Sequence, residues 1–128
     1  MCKSRILIVD DNELIFAGLR LSFDLLLPGC PVNTVSDAVA ALSELRQQPF
    51  DLILTDYDMP KMNGLALALA AHQISPSTRI VLMTGGYSHD EIQTRAGSVT
   101  LDGFLTKPFP LRQLVEILRK NGILTIPS

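Results

Sequence analysis

The chain has no cluster of lysine or arginine, and its formal net charge is −2. That balance offers no general attraction to nucleic acid or to an anionic membrane surface, so no direct nucleic-acid or membrane partner is expected. Its two cysteines, Cys2 and Cys30, have no metal-ligand spacing and no secretory signal ahead of them. Reduced, structural thiols are expected. The longest apolar stretches fall far short of a membrane span, and the expected location is the cytoplasm. Internal repeats, low-complexity tracts and interdomain linkers are also missing. What is present is 128 residues, 47% hydrophobic and 19% charged, enough for one domain with a proper core. We expect a single domain over residues 1–128, with residues 5–121 as its core and a short apolar tail from Ile123 to Ser128.

Short apolar runs alternate with helical periodicities along the chain. Arg5-Ile6-Leu7-Ile8-Val9 is a continuous run of strand length that ends in Asp10-Asp11. After it, Leu14, Gly18, Leu21 and Leu25, flanked by Ile15, Leu19 and Leu26, recur at helical spacing. Asn12 suits the N-cap, and Pro28-Gly29 stops that helix. A weak strand over 31–35 leads to a helix whose buried stripe is Ala38, Ala41, Leu42 and Leu45. The run 51–55 is the third strand; a turn built on Met59-Pro60 follows, and Asn63-Gly64 opens an Ala/Leu-rich helix to about His72. A fourth strand over 79–83 ends in Thr84-Gly85-Gly86. Ser88-x-x-Glu91 has the form of a capping box, but Ile92, Ala96 and Val99 are the only apolar contacts of the helix it opens, and Gly97 cuts it short. The fifth strand, 102–106, stops at Lys107-Pro108. Leu111, Leu114, Val115 and Leu118 make the last helix amphipathic. Five strands alternating with five helices over short connections predict an α/β fold, a doubly wound parallel sheet with helices on both faces.

Asp10, Asp11, Asp56, Thr84 and Lys107 all stand at the carboxyl ends of these strands. In a parallel sheet those ends share one edge, so the five side chains are expected to converge on one crevice. Clustered carboxylates repel each other, and a divalent cation removes that cost. Oxygen ligands with no histidine or cysteine nearby favour magnesium, Mg²⁺, held by Asp10, Asp11, Asp56 and the backbone carbonyl of Asp58. Asp56 is then a nucleophile toward phosphorus, with Lys107 and the Thr84 hydroxyl on the phosphoryl oxygens. Gly85 and Gly86 let the backbone approach that group without a side-chain clash.

The ordered pieces Ile8-Val9-Asp10-Asp11, Asp56-x-x-Met59-Pro60 with Met62-Asn63-Gly64, Met83-Thr84-Gly85 and Lys107-Pro108-Phe109 resemble the receiver domain of two-component response regulators. The likeness runs from about Arg5 to Leu118. It implies a flavodoxin-like five-stranded sheet of order 2-1-3-4-5 and a cis Lys107-Pro108 bond. It also implies Asp56 as phosphoacceptor, Asp11 as a direct Mg²⁺ ligand with Asp10 partly through water, and Thr84 and Lys107 as phosphoryl sensors. Phe104 takes the aromatic switch position, often tyrosine in relatives, and Asp58 and Gly86 take positions that tune phosphoryl lifetime. The implied donor is a histidine kinase or histidine phosphotransfer protein. The implied output partner, or a homodimer, meets the face of the fourth helix, fifth strand and fifth helix. On this reading the chain is a signalling switch and not an enzyme beyond its own phosphorylation and dephosphorylation.

Two other functions compete. Asp56-Tyr57-Asp58 also fits the Asp-x-Asp pattern of aspartate-nucleophile phosphatases of haloacid-dehalogenase type. In those enzymes, however, that motif follows the first strand, and here the Asp10-Asp11 pair comes first. A receiver-like scaffold that takes no phosphate is the third reading, and the complete set of five groups argues against it. His72 and His89 are expected at the surface or an interface, without a metal role. The Leu65-to-Ala71 stripe is core packing. Ile92, Phe104 and the last helix's exposed side, near Arg95, Arg112 and Gln113, are the candidate partner surface.

Overall fold

The computed structural model describes residues 4–59, 61–97, 99 and 101–124. Expectations that fall on Cys2, on Pro60 and on residues 125–128 of the tail lie outside the described residues. Ten elements alternate along the chain: β1 (Ile6–Val9), α1 (Glu13–Leu26), β2 (Val32–Val35), α2 (Ala38–Gln47), β3 (Leu52–Asp56), α3 (Gly64–Ile74), β4 (Arg79–Thr84), α4 (His89–Ala96), β5 (Gly103–Thr106) and α5 (Leu111–Lys120). The strands form one parallel sheet in the order β2-β1-β3-β4-β5.

The strands that read as unbroken apolar runs lie at the centre, because a strand covered on both faces has no solvent side to carry polar residues. All residues of β1 and β3 are buried. Alternation along each strand then divides the core in two. Leu7, Val9, Ile53, Ile80 and Leu82 face α2, α3 and α4, whereas Ile6, Ile8, Leu52, Leu54, Val81, Met83 and Leu105 face α1 and α5.

Asparagine and serine caps mark where helices begin. Asn12 Oδ1 accepts from the Leu14 N–H at 2.9 Å, Asn63 Oδ1 from Ala66 at 2.9 Å and Ser88 Oγ from Glu91 at 3.1 Å. Each satisfies one of the amides that a helix start leaves unpaired. Gly97, at φ 63°, ends α4 in a conformation that side chains disfavour.

Three packing expectations are corrected. On α1 the buried residues are Leu19 and Phe23, backed by Ile15, Phe16 and Leu26. Leu14, Leu21 and Leu25 are 83%, 63% and 72% exposed. The helix carries two apolar stripes, and the one holding Phe23, its bulkiest buried side chain, fills the space over β1 and β3. Leu21→Gln should therefore shift the urea-unfolding free energy by no more than about 0.5 kcal/mol, as for other exposed positions. On α5, Leu114 and Leu118 are buried and Leu111 is 48% exposed; Ile117 packs inward in its place. The cysteine expectation also changes, since Cys30 is disulfide-bonded. It stands just ahead of β2, where the Ile6 N–H donates to the Pro31 carbonyl at 3.0 Å, so the chain entering β1 runs beside it.

Candidate functional site

Side-chain alternation decides which of the strand-end residues meet. Asp10 continues the Ile6-Ile8 face, Asp56 the Leu52-Leu54 face, and Lys107 the Leu105 face, so all three emerge on the α1/α5 side of one edge. There Lys107 Nζ lies 3.1 Å from Asp10 Oδ2 and 3.1 Å from Asp56 Oδ1. Asp11, one residue on, is exposed, and its carboxylate completes a group with Asp10 and Asp56 whose ligand oxygens all lie within 4.8 Å of one another. Asp10 has no solvent exposure and holds its carboxylate in place by accepting the Asn12 N–H at 2.9 Å.

Charge and burial compete at this edge. Burial, first, pushes the Asp56 carboxyl pKa above its ordinary value, and the charge of Asp10 adds to that. The hydrogen bond and charge of Lys107 and the Asp58 backbone N–H work against the rise without cancelling it. For Lys107, burial opposes the ammonium form, but the hydrogen bond and charge of Asp10, followed by those of Asp56, outweigh it and raise its pKa. Three carboxylates against one ammonium leave the edge short of positive charge, and its donors are all oxygen. That fits a hard divalent cation such as Mg²⁺.

Thr84 belongs to the opposite face. It continues Ile80 and Leu82, is fully buried, and accepts the Tyr87 N–H on its hydroxyl at 3.3 Å. Its carbonyl, at the same edge, accepts the Lys107 N–H at 2.8 Å. Phe104 sits on this face too, paired in register with Leu82 and stacked on His89 with 4.6 Å between ring centres. The Lys107-Pro108 bond is cis. Asp58 reaches Asp56 through its backbone N–H, and its side chain is exposed.

Glycine is required at a position that the sequence marks only as a helix start. A Cβ on Gly64 would land on the Asp56 carbonyl oxygen and stand 2.9 Å from Tyr57 Cα. Both are backbone atoms at the junction of β3 and the turn that follows it, and they cannot swing aside. Gly64→Ala should cost about 1–3 kcal/mol in thermal or urea unfolding, as overpacking does. By contrast, a Cβ at Gly85 or Gly86 would meet nothing within 4 Å, so open space lies beside both.

The candidate partner surface is partly corrected. Ile92 is fully buried and offers nothing to a partner; Arg95 lies on α4. Sequence reasoning also left out a cluster beside Asp56. The buried Tyr57 ring lies 4.8 Å from that of Tyr87, and its hydroxyl accepts from Arg95 Nη1 at 3.0 Å. Its only sequence signal is Tyr57 itself, an aromatic residue directly after the carboxylate.

Residues 6–119 match the family model described as the response regulator receiver domain. The response regulator receiver protein CpdR of Brucella abortus is 35% identical over 96 residues, covering 72% of this chain and 76% of that protein. A probable transcriptional regulatory protein, TcrX of Mycobacterium tuberculosis, is 29% identical over 96% of this chain; the match spans 53% of TcrX. The signal receiver domain of an HD domain-containing protein from Pseudomonas fluorescens superposes with a TM-score of 0.83 at 29% identity, covering 92% of this chain and 93% of that one. Chemotaxis protein CheY4 of Vibrio cholerae superposes with a TM-score of 0.79 at 28% identity, over 91% of this chain and 97% of that one.

Proposed function

We propose that this chain, which belongs to the receiver domains of two-component response regulators, is a switch operated by phosphorylation of Asp56. The observation that carries this reading is the placement of Lys107 between Asp10 and Asp56 on the edge that also holds Asp11.

Asp10, Asp11 and Asp56, with the Asp58 carbonyl, would hold Mg²⁺, which when bound supplies positive charge to the oxygens of the incoming phosphoryl group. An Asp56 carboxylate oxygen attacks phosphorus and forms an acyl phosphate. The bond from phosphorus to the donor's leaving atom breaks, and that atom keeps the electron pair. Lys107 stays in reach of the same oxygens and takes up part of their charge. The Thr84 hydroxyl turns toward them as a donor. Two such charge-assisted bonds, at roughly 1.5–3 kcal/mol each, approach the ~5.5 kcal/mol that moves an equilibrium from mostly off to mostly on.

The donor is a histidine kinase or histidine phosphotransfer protein. The output is read on α4, β5 and α5, by a partner protein or domain or by a second copy. A groove lined by His89, Phe104, Thr106, Gln113 and Ile117 marks that face. We read residues 1–128 as one receiver domain that acts as a signalling switch and is not an enzyme in its own right. The phosphatase alternative would need the Asp58 carboxyl as an acid, but that side chain is exposed and outside the carboxylate cluster. Among the described residues no helix is long and apolar enough to cross a membrane. The cytoplasm is the compartment this family reading supports, although a disulfide such as that at Cys30 is uncommon there.

Incubation with acetyl phosphate, with and without Mg²⁺, followed by intact-mass measurement tests the switch. One Mg²⁺-dependent phosphoryl addition, removed by hydroxylamine, is expected. Absence of an adduct together with no binding of beryllofluoride would overturn the reading and leave a scaffold.

A further inference from the structure

Apolar burial holds α4 weakly, because its buried residues are only Ile92 and Ala96. The rest of its grip is polar and aromatic. At its first residue, His89 stacks on Phe104, and its Nε2 is 3.1 Å from the Thr106 hydroxyl. At its last turn, Arg95 reaches the phosphoacceptor edge. Arg95 Nη1 donates to the Tyr57 hydroxyl at 3.0 Å, and the guanidinium carbon lies 5.7 Å from the centre of the Tyr87 ring. A guanidinium can serve a hydroxyl and an aromatic face at once, which an ammonium does less well.

The two rings differ in how firmly they are held. Tyr57 directly follows Asp56, and its backbone is pinned on both sides. Its N–H donates to the Met83 carbonyl at 2.8 Å, and its carbonyl accepts from the Gly64 N–H at 2.8 Å. Tyr87 is 38% exposed in the loop between β4 and α4, and its N–H bonds to the Thr84 hydroxyl across a long 3.3 Å. A Thr84 hydroxyl that rotates toward a phosphoryl group on Asp56 carries its oxygen away from that N–H. Tyr87 then loses its tether, and Arg95 loses the ring beneath it.

We propose that Arg95 is a positioning residue that latches α4 to the phosphoacceptor edge through Tyr57 and Tyr87, and that Thr84 opens this latch by releasing Tyr87. The latch rests on the phosphorylation reading above and adds to it a route on the Tyr57 side of the edge, separate from Phe104.

Hydrogen exchange of the α4 amides in the whole chain, with and without Mg²⁺ and beryllofluoride, tests the latch. In the wild type, beryllofluoride should speed α4 exchange. Arg95→Met keeps most of the aliphatic stem but has no donor. Its α4 should exchange fast already and respond little to the analogue. Beryllofluoride should also bind it about threefold to tenfold more tightly by calorimetry, since part of the resistance to switching is gone. Tyr57→Phe should move both readouts the same way, and Arg95→Lys should lie between wild type and Arg95→Met. Exchange that rises equally with and without beryllofluoride, at unchanged affinity, would show a merely structural contact and overturn the latch. Exchange unchanged in Arg95→Met would overturn it as well. A wild type that binds no beryllofluoride would instead overturn the phosphorylation reading, before any variant is compared.

Discussion

Asp56→Asn takes up no phosphoryl group from acetyl phosphate at any Mg²⁺ concentration, and its metal-free form is more stable than the wild type at neutral pH. The first result follows from chemistry, since an amide offers no nucleophilic oxygen comparable to a carboxylate and Asp56 is the group we propose for attack. The second follows from the pKa of Asp56, which burial and the charge of Asp10 raise despite Lys107. A carboxyl whose folded pKa lies above its unfolded value binds its proton more tightly when folded. That stabilises the fold below the unfolded pKa, and the contribution is lost as pH rises through the folded pKa. Near neutrality the ionised Asp56 is therefore a burden that asparagine removes. The variant's advantage should shrink as pH falls from 7 through the raised folded value. Urea midpoints in the presence of a chelator measure it. Mg²⁺ should narrow or reverse the ranking, because the wild type gains more from binding it. A variant less stable than the wild type at neutral pH, or one that still gains a hydroxylamine-labile adduct, would contradict this account.

Lys107→Met has the largest expected effect on stability. It strips the ammonium from Asp10, whose side chain has no exposure, and from Asp56, whose side chain is 10% exposed. Removing one partner of a buried ion pair costs about 3–5 kcal/mol. Lys107 itself is 23% exposed and the edge opens to water at Asp11, so about 3 kcal/mol is expected in the metal-free protein. The raised pKa of Lys107 makes this contribution constant across the neutral range. A base with a raised folded pKa stabilises the fold fully below its unfolded value, near ~10.4, and loses that only as pH rises through the folded value. Mg²⁺ should restore much of the loss by supplying the missing positive charge. Urea unfolding with chelator and with saturating Mg²⁺ gives both numbers. A loss unchanged by Mg²⁺ would mean that side-chain packing of Lys107, rather than charge at the edge, sets its effect.

The strands themselves and the edge where they end were legible because their physical causes are local, whereas the order of the strands came only from the family resemblance. Leu52-Ile53-Leu54 is too apolar and too short for anything but a covered strand, and the carboxylate that ends it must appear at the strand's carboxyl end. The same logic applied at Val9-Asp10 and Leu105-Thr106-Lys107 brought residues 46 and 51 positions apart in sequence to one edge. The caps at Asn12, Asn63 and Ser88 were legible for the same reason, since a cap bonds amides only two or three residues away.

Where two local solutions were equally good, only packing could choose. Both apolar stripes of α1 satisfy helical spacing, and the volume over β1 and β3 selected the one with Phe23 and left Leu14, Leu21 and Leu25 in water. The contacts that join distant elements had no local cause at all. Lys107 shared between Asp10 and Asp56, Gly64 pressed against the Asp56 carbonyl, and Arg95 bridging Tyr57 and Tyr87 each depend on where separate elements come to rest. By itself the sequence determined the strands, the helices between them and the residue types that end each strand, because these follow from periodicity and residue type within short windows. The tertiary structure decided which helix faces are buried and which side chains share a charge or a ring, because those choices are settled by space and partners that no window of sequence contains.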